Sequence, residues 1–112
     1  MGSKLNSMMV AEGAAYIYTE DYKNYMAMHM KFIREAPSTQ KVTLDPAAVH
    51  KNMNDFTGLF MDMGYKKEFH SALLQLNGYT HPNELTEDVE TLLVPAVALI
   101  AQLNLLYQTS SA

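Results

Sequence analysis

Between Tyr18 and Ile33 apolar side chains recur with a period of 3.6 residues, a spacing that gathers them on one face only if the backbone is helical. Glu20, Lys23, Asn24, Lys31 and Arg34 fall on one side, and Tyr18, Tyr22, Tyr25, Met26, His29, Met30, Phe32 and Ile33 on the other. Upstream, Met8, Met9, Val10, Ala14, Ala15 and Ile17 are less one-sided. Gly13 is the natural place for a break, since glycine costs about 1 kcal/mol relative to alanine inside a helix. The pattern predicts a first helix from Ser7 to Glu35.

Three further helices follow from punctuation at Pro37-Ser38-Thr39, Asp45-Pro46, Gly64, Gly78 and Thr80-His81-Pro82-Asn83. Asp45 stands where an N-cap belongs, Pro46 at the first helical position, and Gly64 where a left-handed residue ends a helix. Between them Val49, Met53, Phe56, Phe60 and Met63 make one apolar stripe. A shorter helix is predicted from Tyr65 to Asn77, although Lys66 and Lys67 in its first turn oppose the helix dipole. The last begins near Thr86 with Glu87, Asp88 and Glu90, and from Val89 to Tyr107 it is apolar almost all round. Val94 to Leu103 is therefore expected in the core, with a kink at Pro95. Only Gln40 to Leu44 has strand character, too little for an independent sheet. Together these segments predict an all-α fold: one compact four-helix bundle-like domain over residues 1–112, with a long N-terminal helix and a Pro-kinked, buried C-terminal helix.

Charge narrows the partners. The net charge is −4, and after Lys67 five acids (Glu68, Glu84, Glu87, Asp88, Glu90) meet no Lys or Arg. Neither a nucleic-acid surface nor a polybasic membrane patch fits there. No cysteine occurs, which excludes disulfides and thiolate chemistry and favours a reducing compartment. The N-terminal residues lack the basic and apolar regions of a signal peptide, and Asn6 does not suit myristoylation. The apolar run from Leu92 to Tyr107 is shorter than the roughly 20 residues a membrane span needs. A cytoplasmic protein is expected.

The motifs that carry chemistry are missing. The five glycines are isolated, no His pair is spaced three or four apart, and no Glu-x-x-His, nucleophile elbow or Asp-rich calcium loop occurs. No cofactor, metal or catalytic residue is predicted. His29 lies at the centre of the apolar face; it is either a core histidine bonded to a hydroxyl or carbonyl, or a pocket or interface group that titrates near neutrality. Tyr18, Tyr22 and Tyr25 form a stripe that suits ordinary core, a seam between chains or a pocket for a planar ligand. All nine methionines lie at or before Met63, and methionine tolerates changing partners. His50 and His70 sit beside Asp55 and Glu68 in sequence and leave a metal or acid-base pair as a third alternative.

Length bears on assembly. A continuous first helix of about 29 residues is roughly 44 Å long, more than a domain of this size covers. Its end would leave Met9, Val10 and Ile17 exposed and in need of a partner. The leading expectation is a non-enzymatic helical protein that binds another protein and forms a homo-oligomer, as an adaptor, inhibitor or assembly factor does. A helical oligomer with a small-ligand pocket at a subunit seam lined by Tyr22, Tyr25 and His29 is the alternative.

Overall fold

The structure, a computed structural model, describes residues 14–111. It contains five α-helices and a two-stranded antiparallel sheet among the described residues, so the all-α bundle expected from sequence is corrected to a mostly helical mixed fold. A 3-10 turn (Ala14–Tyr18) leads into α1 (Glu20–Glu35), β1 (Gln40–Thr43), α2 (Pro46–Lys51) and α3 (Phe56–Asp62). A second 3-10 turn (Lys67–Phe69) precedes α4 (His70–Leu76), and a third (Pro82–Glu84) precedes β2 (Thr91–Val94) and α5 (Val97–Ser111).

The first helix is shorter than predicted because Thr19 starts it. Its hydroxyl oxygen accepts from the Tyr22 amide at 3.2 Å, and Glu20 and Asp21 occupy the first turn, where the helix dipole favours acids. The helix runs 16 residues, so the length argument for an overhanging end fails. Ile17 is buried beside Tyr22 and Met26 instead of projecting. Met9, Val10 and Gly13 lie outside the described residues.

The predicted second helix is divided. Asn52 turns back to donate to the Ala48 carbonyl and the Asp62 carboxylate, each at 2.9 Å. Asn54 takes a left-handed φ of 63°, and Asp55 caps α3 by accepting from the Gly58 amide. Asn and Asp compete with the helix for exactly such local bonds. Met53, in phase with the apolar stripe, is exposed at the break. Gly64 and Gly78 do end helices, with φ of 94° and 81°.

The largest difference lies at the last predicted helix. Thr91 to Val94 is strand, paired with β1 so that Gln40 faces Val94 and Thr43 faces Thr91. Proline disfavours the helical region for the residue before it, so Pro95 sets a boundary at Val94 where a kink was predicted. Leu92 and Val94 turn inward and Thr91 outward, the alternation of a half-buried strand. Leu44 extends the ladder through its amide bond to the Glu90 carbonyl at 2.8 Å. In that register the backbone groups of Leu93 point away from β1. The Asn77 side chain meets both, accepting from the amide at 2.7 Å and donating to the carbonyl at 2.9 Å.

Two apolar clusters share α4. Leu73 and Leu74 pack with Val49, Phe56, Phe60, Leu85 and Leu92 on one side. Ala72 and Leu76 pack with Tyr22, Met26, Ile33, Ile100 and Leu103 on the other. Lys66 and Lys67 stand just before α4, with Lys67 opening the 3-10 turn that runs directly into it.

The break at Asn54 has a measurable consequence. Asn54→Gly should leave stability to urea nearly unchanged, while Asn54→Val should cost about 1–2 kcal/mol, since a branched side chain resists positive φ. Equal stability of the two variants would mean that residue 54 does not occupy this conformation.

Candidate functional site

The aromatic residues singled out in the sequence meet α5. Tyr22 is fully buried, and its hydroxyl donates to the Asn104 carboxamide oxygen at 2.6 Å. Tyr25 is half-buried and donates to the Leu103 carbonyl at 2.7 Å. One turn on, the His29 Nδ1–H donates to the Tyr25 carbonyl at 2.8 Å, with the two rings 4.6 Å apart. Tyr107 joins from α5, with its ring 5.3 Å from Tyr22 and 5.0 Å from Tyr25, and Tyr16 stacks on it at 5.6 Å. Tyr18, by contrast, points into solvent, so the predicted stripe of three is divided.

This cluster is built as core. Burial raises the hydroxyl pKa of Tyr16, Tyr22 and Tyr25 above the ordinary tyrosine value, so these groups stay protonated and donate. The donors of Tyr22 and Tyr25 are already committed inside the chain. Asn104 is buried, and its amide donates to the Glu68 carbonyl at 3.2 Å. Asn104 therefore joins α1, α5 and the turn before α4.

These bonds fix the rotation of α5. With Leu103, Asn104 and Tyr107 held inward, the remaining faces of a helix without any charged residue must lie outside. Val97 (46% exposed), Leu105 (59%) and Leu106 (50%) are surface residues, as are Ala98 and Ala101. A second apolar group stands on α1, where Met28 (80%) and Phe32 (60%) are one turn apart on the same flank as Tyr25 and His29. Sequence reasoning missed the α5 face because it assigned this segment wholly to the core. The signal was present: a nearly all-apolar helix in a domain of this size cannot be covered on every side.

The histidines proposed for a metal or acid-base pair have separate partners. His50 is exposed and donates to the Glu87 carboxylate at 3.2 Å. His70 is buried against the Phe60 ring, and its Nε2–H donates to the Tyr65 carbonyl at 2.9 Å. Among the described residues no three of His, Asp and Glu gather closely enough to hold a metal ion. Acids do converge on an open depression of about 490 Å³ lined by Tyr79, Glu84, Asp88, Val89 and Glu90. The Glu84 carboxylate there already accepts the amides of Thr80 and His81, which makes it part of the turn.

No protein-family model, curated protein or solved structure matches the chain. Among the described residues no helix is long and apolar enough to cross a membrane.

Two outcomes follow. Tyr22→Phe strands the buried Asn104 oxygen and should cost about 1–3 kcal/mol in urea denaturation, as lost partners of buried polar groups do. An unchanged stability would show that the Tyr22 hydroxyl is not structural. His70 is held below its ordinary pKa, first by desolvation, so the unfolded chain binds its proton more readily than the folded one. Its contribution is complete above about pH 6.5 and declines as the pH falls towards the folded value. His70→Gln should flatten the loss of stability between neutral and mildly acid pH; an identical profile would remove His70 as its source.

Proposed function

We propose that this chain is a non-enzymatic cytoplasmic interaction protein that binds another protein and self-associates, in the manner of an adaptor, inhibitor or assembly factor. The observation that carries this reading is the outward placement of Met28 and Phe32 on a helix whose opposite side is fully packed. Large apolar side chains grouped on a surface, rather than scattered singly, mark contact sites. Asp21, Lys31 and Glu35 surround the pair, giving the apolar centre and charged rim typical of protein contacts. Methionine adds a side chain that adapts to a partner's shape. The absence of cysteine supports a reducing compartment.

The ligand-pocket alternative has less support, because the groups it would use are occupied. Tyr22, Tyr25 and His29 spend their hydrogen bonds on Asn104, Leu103 and each other.

A photoreactive phenylalanine at position 32, expressed in the source cells, tests the reading. Irradiation should give a discrete adduct with a different protein, lost when Met28→Asp is added. The same group at position 41 should give none. No adduct at position 32, with the protein folded and abundant, would defeat the proposal.

A further inference from the structure

We propose that the outward face of α5 pairs with the same face of a second copy of this chain. The inference rests on the interaction reading above and names the surface for its self-association. Val97, Ala101 and Leu105 step by four residues along one ridge, with Ala98 and Gln102 beside them. All five are exposed, and the helix cannot rotate to bury them. Tyr22 holds Asn104 and Tyr25 holds the Leu103 carbonyl, so turning Leu105 inward would break both bonds and empty the core of Ile100 and Leu103.

Charge narrows the occupant and favours a second copy. From Thr91 to Ala112 the chain has no Asp, Glu, Lys or Arg, so a partner with charge on its contacting face would bury it unpaired on α5. A second copy brings an uncharged face. The net charge of −4 belongs to other parts of the chain, where two copies repel. Along α5 itself two copies set no like charges against each other.

Shape agrees. A two-fold axis at Ala101 sets Val97 of one copy against Leu105 of the other, twice, with small alanines at the crossing. Ridges spaced four residues apart interdigitate at helix separations of about 8–10 Å, which Ala98 and Ala101 permit. α5 is only about 22 Å long, so a single helix pair falls below the roughly 1,200 Å² of a standard stable interface. The pairing is therefore concentration-dependent.

Sedimentation equilibrium of the full chain from about 10 to about 500 µM should show monomer passing to dimer, since association follows mass action. Leu105→Glu should remain monomeric over that range with unchanged circular dichroism. Because the chain has no cysteine, Ala101→Cys supplies a clean second test. It should form a disulfide-linked dimer under mild oxidation, while Lys23→Cys should not. A wild-type monomer at the highest concentration would overturn the pairing, as would a dimer indifferent to Leu105→Glu. So would a chain that dimerises only after residues 2–12 are deleted, because that segment would then be the occupant. A monomer that still gives the Phe32 adduct would end this inference and the self-association it names, and leave the binding of another protein standing. A dimer without the adduct would do the reverse.

Discussion

Helix α4 is only seven residues long, yet both apolar clusters depend on it. A helix usually hides one stripe and wets the other. Here His70, Ala72, Leu73, Leu74 and Leu76 are all buried, so α4 is an internal partition with a core on either side. So short a helix has little stability alone, because nucleation is unfavourable and few bonds reward it. Its neighbours supply what it lacks. The Arg34 guanidinium donates to the Leu76 carbonyl, and the Asn77 side chain donates to that of Leu73. The last turn is thereby satisfied from α1 and from its own C-cap.

Asn77 also explains why a strand survives beside so much helix. A two-stranded ribbon is marginal, and its outer edges offer unpaired backbone groups. The Asn77 carboxamide stands in for a third strand at Leu93, with one acceptor and one donor at peptide-like distances. One side chain therefore ends α4 and closes the edge of β2. The strand in turn places Pro95 at its end, and α5 starts afresh at Val97 in a direction set by the sheet. From that start, Asn104 and the two tyrosines choose which side of α5 faces inward. The outward face of α5 is thus a consequence of buried polar contacts, which are costly to leave unmade and so specify one rotation.

Much of this was legible in the residues, and the failures share one cause. The period of 3.6 in α1 correctly placed Tyr22, Met26, Met30 and Ile33 inside. Asp45, Pro46, Gly64 and Gly78 correctly marked element ends. The errors arose where an apolar pattern remained in phase across a local signal. Tyr18 continued the stripe past the Thr19 cap, and Met53 bridged the Asn52–Asp55 break. Leu92 and Val94 fit a helix as readily as a strand, and a short apolar run does not separate the two. Pairing with Gln40–Thr43 decided it, and contacts distant in sequence leave no local mark. In the aromatic cluster, Tyr22, Tyr25 and His29 were recognised as a group, but their partners Tyr107 and Asn104 were hidden in a segment read as uniformly apolar. That same reading concealed Val97 and Leu105.

The two outward apolar groups differ in shape and in the charge around them. On α5 the exposed side chains are aliphatic apart from Gln102, and no charge lies near them in sequence. Such a face suits a surface equally free of charge, as the proposed second copy would be. On α1, Met28 is unbranched and polarizable, Phe32 presents a flat ring, and Asp21, Lys31 and Glu35 bring both signs of charge to the rim. Rim charges steer encounter and reject wrong partners more than they add affinity. In the reading proposed above, a surface of that kind would select among different proteins, whereas an uncharged helix face would rely on complementarity alone. Tyr25 and His29 link the two physically, since they lie on the flank of α1 that carries Phe32 and Tyr25 bonds the backbone of α5 at Leu103.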